Sequence, residues 1–264
     1  GAATHHGTYD NYLLGDMDCN GWPQAGRRKA LDVLRRGGVI HLAGDQHLTT
    51  LIRQGINAPG DAIVSFVVPA GATGYQRWWR PEDMGIERMA GGRHDNRPDT
   101  GLYRDGFGNI IDVLAVGNPE PSPRGAAGRE DNGRKKASGW GLVSFNKEDG
   151  NVYIKSLHIH PGLDVRKMNP EENQFPGWPA TINIEENYGI TALKLPPVTF
   201  AEVNGKRPVV RVTDADGNFV SAGRMHANTF VPTVYAPGRY TVEVISPEDD
   251  QTVIMSLNDV TPVE

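Results

Sequence analysis

Gly38-Val39-Ile40-His41-Leu42-Ala43-Gly44-Asp45-Gln46-His47 is the stretch on which the reading of this chain turns. A short apolar run closes in a glycine, and an Asp and a His follow it two residues apart. The run reads as a buried strand, and the permissive backbone of Gly44 predicts a sharp turn at its end. In open α/β sheets ligands bind beyond the carboxyl ends of the strands, so Asp45 and His47 fall where a site is expected. A carboxylate and an imidazole this close together suit one shared divalent or trivalent ion. The same residues also fit a plainer arrangement, in which Asp45 caps a following turn or helix and His47 packs beside it.

Upstream, Gly21-Trp22-Pro23-Gln24 reads as a turn, and Ala25 to Arg36 sets Ala30, Leu31, Val33 and Leu34 among Arg and Lys, as an amphipathic helix does. Gly37-Gly38 closes it. Helix, glycine turn and buried strand make an α/β unit. Downstream, Leu48 to Gly55 is predicted as a short helix. Ala62 to Val68, Ile110 to Val116, Trp140 to Asn146 and Asn151 to His160 are predicted as strands, the last two paired around Glu148-Asp149-Gly150. His158 and His160 share one face of their strand. The long Gly-, Arg- and Asp-rich stretches 70–109 and 117–137 read as functional loops. Beyond residue 190 short strands recur between Asp-Gly-Asn, Pro-Gly and Pro-Glu-Asp-Asp turns, the pattern of an antiparallel β-sandwich. The expected organisation is therefore a first domain over 1–189 and a β-sandwich domain over 190–264.

The 264 residues allow one large domain or two ordinary ones, and no apolar stretch reaches the ~18 residues that cross a bilayer. A net charge of −5 argues against a nucleic-acid binder, which carries a basic stripe. The basic run from Arg124 to Lys136 reads as a solvated loop. Cys19 is the single cysteine, so no internal disulfide forms, and it is either a soft metal ligand or a small filler of its turn. The opening Gly-Ala-Ala-Thr-His-His-Gly reads like the middle of a domain, and no secretory signal opens the chain.

Asp18-Cys19-Asn20-Gly21-Trp22-Pro23-Gln24, then Gly26-Arg27, an amphipathic helix and Gly44-Asp45-Gln46-His47 resemble, in that order, the late half of alkaline phosphatase D-like metallophosphatases. Asn20 stands where that family usually has Asp, and Trp22 where it has Tyr. Asp105-Gly106-Phe107-Gly108-Asn109 and Ser138-Gly139-Trp140-Gly141 resemble its secreted bacterial branch, and the likeness extends to about residue 165. The resemblance implies an α/β fold, part of a calcineurin-like sandwich of mixed sheets with flanking helices. It implies hydrolysis of phosphate mono- or diesters at a centre of divalent or trivalent ions (Ca, Fe, Zn or Mn), and an extracytoplasmic location. Asp45, His47 and Asp18 are the implied ligands, and Asn20 and His47 the implied catalytic groups. His5 and His6 reach the same rim or form an exposed turn. Arg93, His94 and Arg97 hold the phosphate through guanidinium forks or form a salt-bridged loop.

The family's earlier metal motifs have no counterpart here. Two ligands are too few for a dinuclear centre, so a completing N-terminal fragment or a second copy of the chain is an expected partner. Two other functions stay open. One is a non-catalytic extracellular structural or carbohydrate- or protein-binding protein, its contact surface built from Tyr75, Trp78, Trp79, Tyr103 and Trp178. The other is a hydrolase of another ester class.

Overall fold

The decisive stretch lies at the margin of its sheet. In the computed structural model, residues 5–8, 11–13, 21–71, 77–119, 137–159, 164–189, 192–202, 205–246 and 252–263 are described, with the backbone alone at 5–8, 11–13 and 165. The chain runs β1 (His5–Thr8), β2 (Asn11–Leu13), α1 (Gln24–Arg35), β3 (His41–Ala43), β4 (Thr49–Gln54), β5 (Val64–Val67), β6 (Arg77–Trp78), β7 (Gly101–Arg104) and β8 (Ile110–Gly117). It continues through β9 (Gly139–Phe145), β10 (Asn151–His158), β11 (Ala180–Asn183), β12 (Leu193–Lys194), β13 (Val198–Thr199) and β14 (Val209–Asp214). It closes with β15 (Phe219–Arg224), β16 (Thr229–Phe230), β17 (Thr233–Val234), β18 (Tyr240–Ile245) and β19 (Val253–Val260).

This architecture corrects the expected α/β calcineurin-like sandwich. The fold is β-rich, 40% strand and 12% helix, with one α-helix and several small sheets among the described residues. The central five-stranded sheet runs β3-β5-β4-β8-β7, and only β3 and β5 pair in parallel within it. Leu48 to Gly55, predicted as a helix, contains β4, the middle strand. β-Branched Thr49, Thr50 and Ile52 suit a pleated sheet. Their side chains are buried on both faces, so the alternation that marks a strand in sequence is missing. The run ending in Ala43 is also corrected. β3 is a three-residue edge strand, and Leu42 within it is 45% exposed.

One face of the central sheet carries Leu51, Val64, Phe66 and Ala115, which pack on Val152, Ile154 and Ile182 of the β11-β10-β9 sheet. Phe175 and Trp178 complete that core. The other face presents Ile52, Tyr103, Ile111 and Val113 to Trp79 and Ile86 from the connection before β7. Helix α1 covers the same sheet beside Ile56, Ala62 and Ile63, but only Leu31 of its apolar residues is fully buried and Val33 is exposed. Its end needs a glycine at position 38, where φ is +59° and a Cβ would meet the Tyr188 ring at 2.8 Å.

Between α1 and the sheet runs a chain of side-chain hydrogen bonds. Arg27 donates to Gln54 Oε1 (2.6 Å), Gln54 Nε2 donates to Ser65 Oγ (3.1 Å), and Ser65 Oγ lies 3.3 Å from His41 Nδ1. Burial holds His41 below its ordinary value of 6.5. Its neutral form therefore favours the folded state above that value, and the contribution is lost as pH falls through 6.5 toward the lower folded value. Urea midpoints are expected to drop between about pH 7.5 and about pH 5.5, and to drop less in His41→Gln. An equal slope in the variant excludes this role.

Residues 193–260 build a separate core from Leu195, Val198, Val210, Val212, Met225, Phe230, Val242 and Val244. It lies between the sheet β15-β14-β18-β19 and the ribbons β12-β17 and β13-β16. Tyr235 Oη donates toward Tyr188 O (2.6 Å) and Arg35 O (2.8 Å), and the Arg35 guanidinium stands 4.4 Å from the Tyr235 ring centre. Tyr188 Oη donates to Ala222 O (2.9 Å), and burial pushes its pKa up to about 12, which keeps it a donor.

Candidate functional site

After β3 the chain crosses the end of β5 to enter β4, and this crossing carries Asp45 and His47. Ala43 O accepts from Val68 N (2.8 Å), and Thr49 Oγ1 donates to Val67 O (2.9 Å), fastening both ends. The sharp turn falls at Asp45, not at Gly44: Asp45 adopts a left-handed φ of 67° with its side chain exposed. Asp tolerates that region better than most residues but at some strain, and such strain gathers at functional sites. Gln46 is buried and accepts from Arg77 Nη1 (2.7 Å), while His47 is half-buried. Arg77 belongs to β6, which pairs with β1 so that His6 stands opposite Arg77 and His5 opposite Trp78. Gln46 thus joins the candidate loop to β6, the neighbour of the strand that bears the two histidines. Sequence reasoning passed over Gln46 and Arg77, whose only signal was a polar residue between two candidate ligands.

The same end of the sheet gathers the C-termini of β3, β5 and β8 and the N-termini of β4 and β7. There a cleft of about 510 Å3 is lined by Arg80, Arg93, Arg97, Asp99 and Asn118, among others. Arg93 donates to Glu82 (2.7 Å), and Arg97 donates to Asp95 (2.5 Å) and Leu114 O (2.8 Å). His94 turns away and meets Asp112 at 2.7 Å. The predicted trio therefore does not converge: two members line the cleft and the third does not. Asn118 links Trp79 to Asp99, donating to Trp79 O (2.8 Å) and Asp99 Oδ2 (2.9 Å), and burial raises the Asp99 carboxyl above its usual range. Arg80 and Asp99 lie in the long loop read as functional, but nothing local singles them out; Asn118, just past β8, ties Asp99 to Trp79 beside Arg80.

The motifs that carry the family likeness divide between structure and site. Asp105 is buried and accepts from Phe107 N (2.9 Å), Asn109 N (2.9 Å) and Asn109 Nδ2 (2.9 Å). Asn109 Nδ2 also donates to Gly21 O (2.9 Å), and Gln24 Nε2 donates to Phe107 O (2.8 Å). Gly21–Gln24 and Asp105–Asn109, far apart in sequence, therefore clasp one another. The aromatic contact surface is also corrected: Trp78, Trp79, Tyr103 and Trp178 are all buried in the cores. Asp18, Cys19, Asn20, Tyr75, His160 and the 124–136 run lie outside the described residues.

Among the described residues no group of three His, Cys, Asp or Glu side chains is placed to hold a metal ion. Asp45 and His47 thus supply two ligand types, short of the three protein ligands of a hydrolytic metal centre. Among the described residues no helix is long and apolar enough to cross a membrane. No family model, curated protein or solved structure matches this chain.

Proposed function

We propose that this chain is part of a metal-dependent phosphoesterase related to the alkaline phosphatase D-like enzymes, acting on phosphate mono- or diesters outside the cytoplasm. Asp45, His47 and Asp18 are the ligands of its divalent or trivalent ion (Ca, Fe, Zn or Mn), and Asn20 and His47 its catalytic groups, as the family resemblance implies. The observation that carries this reading is that the Asp45–His47 crossing and the arginine-lined cleft, which share no lining residue, belong to the same end of the central sheet. When bound, the ion supplies a Lewis acid and a water of lowered pKa. Arg80, Arg93 and Arg97 hold phosphoryl oxygens by charge-assisted hydrogen bonds. The ion pairs of Arg93 with Glu82 and Arg97 with Asp95 are solvent-accessible and weak enough to be exchanged for substrate.

The two ligand types supplied by the crossing need a completing set. It comes from the first twenty residues, or from a further polypeptide, an N-terminal segment or a second copy. The margin of the central sheet at β3, with exposed Val39 and Leu42, gives such a polypeptide a strand to pair with.

The chain is loaded with Mn2+ or Zn2+, desalted, and assayed for bound metal and for p-nitrophenyl phosphate turnover. Asp45→Asn is expected to lose about tenfold in both, with its urea midpoint in chelator unchanged, because Asn tolerates the left-handed backbone as Asp does. Equal metal content and turnover in the two proteins overturns the reading. Native mass spectrometry separates the need for a partner: an active 28.8 kDa monomer carrying metal removes it.

A further inference from the structure

A second cavity, of about 310 Å3, opens between helix α1 and the central sheet. Its apolar wall is Trp22, Pro23, Ala30, Leu31 and Leu34, and its polar wall is the hydrogen-bonded chain Arg27, Gln54, Ser65 and His41. None of its lining residues is acidic. Arg27 is buried enough to lower its pKa, and among the described residues its hydrogen bonds go to neutral acceptors, Gly55 O (2.9 Å), Gln54 Oε1 (2.6 Å) and Ile110 O (3.3 Å), while the carboxylates of Asp105 and Asp61 act on it only through space. Guanidinium groups removed from water ordinarily find a carboxylate or phosphate.

The direction of the hydrogen-bond chain adds to this. Ser65 Oγ accepts from Gln54 and lies 3.3 Å from His41 Nδ1; in the tautomer with its N–H on Nε2 the imidazole accepts from Ser65 and keeps one donor of its own. In that tautomer the polar wall offers donors from Arg27 at one end and His41 at the other.

We propose that this cavity is a binding site for a small monocarboxylate with an apolar body, its carboxylate facing Arg27 and His41 and its hydrocarbon part lying against Trp22, Ala30 and Leu34. The site is separate from the Asp45–His47 crossing and does not depend on the phosphoesterase reading. The mixture of apolar lining and few polar groups is the ordinary make-up of a small-molecule pocket, and the cavity lies at the lower end of such volumes. A phosphate ester with a polar body would leave the apolar wall unused.

The test uses the full chain, with phenylacetate, its uncharged isostere phenylacetamide, and acetate, followed by ligand-observed NMR and calorimetry. Phenylacetate is expected to bind at submillimolar concentration, and the amide and acetate about tenfold or more weakly. Ala30→Phe places a ring in the cavity from an exposed helix position and is expected to weaken phenylacetate about tenfold without lowering the urea midpoint. Three results each overturn the proposal: no binding of phenylacetate up to about 5 mM, amide binding as tight as acid binding, or full binding retained in Ala30→Phe. The amide comparison uses the unaltered chain, so a folding defect in the variant leaves the question decided.

Discussion

Asn187→Ala is expected to destabilise the protein by about 4 kcal/mol. Asn187 is fully buried, and its two ends hold two different segments. Its Oδ1 accepts from Val64 N of strand β5 (2.6 Å), and its Nδ2 donates to Gly38 O (3.0 Å) and Val39 O (2.7 Å). It therefore fastens the end of α1 and the entry to β3 onto the central sheet. Truncation leaves a buried N–H and carbonyls without partners, and each such group costs about 1–3 kcal/mol. Asn187→Asp keeps the shape and the acceptor but turns an oxygen on two carbonyls, so it is expected to be at least as damaging. Urea titration of both variants decides the matter. A loss under about 1 kcal/mol in either excludes the clamp.

Trp79→Ala is expected to cost about 4 kcal/mol, and Trp79→Phe about half of that. The indole is 1% exposed, meets Tyr103 edge-on with ring centres 5.5 Å apart, and donates from Nε1 to Asp99 O (3.0 Å). It covers Ile52, Ile111, Val113 and their sheet neighbour Tyr103, so removal opens a cavity over one face of the central sheet. The same variant distinguishes core from contact surface. A residue of an exposed binding surface leaves the urea midpoint almost untouched when truncated, whereas this one is expected to lower it strongly.

Both residues show how far the sequence reaches. Trp78-Trp79 was visible as an aromatic pair in a long polar stretch, and such a stretch suggests a surface. What buries it is a sheet face built by β4 and β8, which lie on either side of it and far from it in the chain. Asn187 carried no signal at all, since an Asn followed by Tyr and Gly reads as a turn. Of the candidate site, Asp45 and His47 were legible because a Gly-Asp-x-His pattern at a strand end is local. The divergence of His94 from Arg93 and Arg97 was not legible, because the left-handed backbone at Asp95 and the carboxylate of Asp112 decide where that ring points.

Local sequence determined most of the strands: Ile110–Gly117, the hairpin of Gly139–Phe145 with Asn151–His158, and Tyr240–Ile245 lie within a few residues of where apolar alternation and turn residues put them. It also determined helix α1 and its glycine stop. Only the tertiary structure decided that Leu48–Gly55 holds a central strand, that the run ending in Ala43 is a sheet margin, and that one α-helix serves the described fold. Periodicity reports how a segment alternates between two environments. A strand buried on both faces and one exposed at an edge each lose that alternation, so pairing partners distant in sequence determine what such segments become.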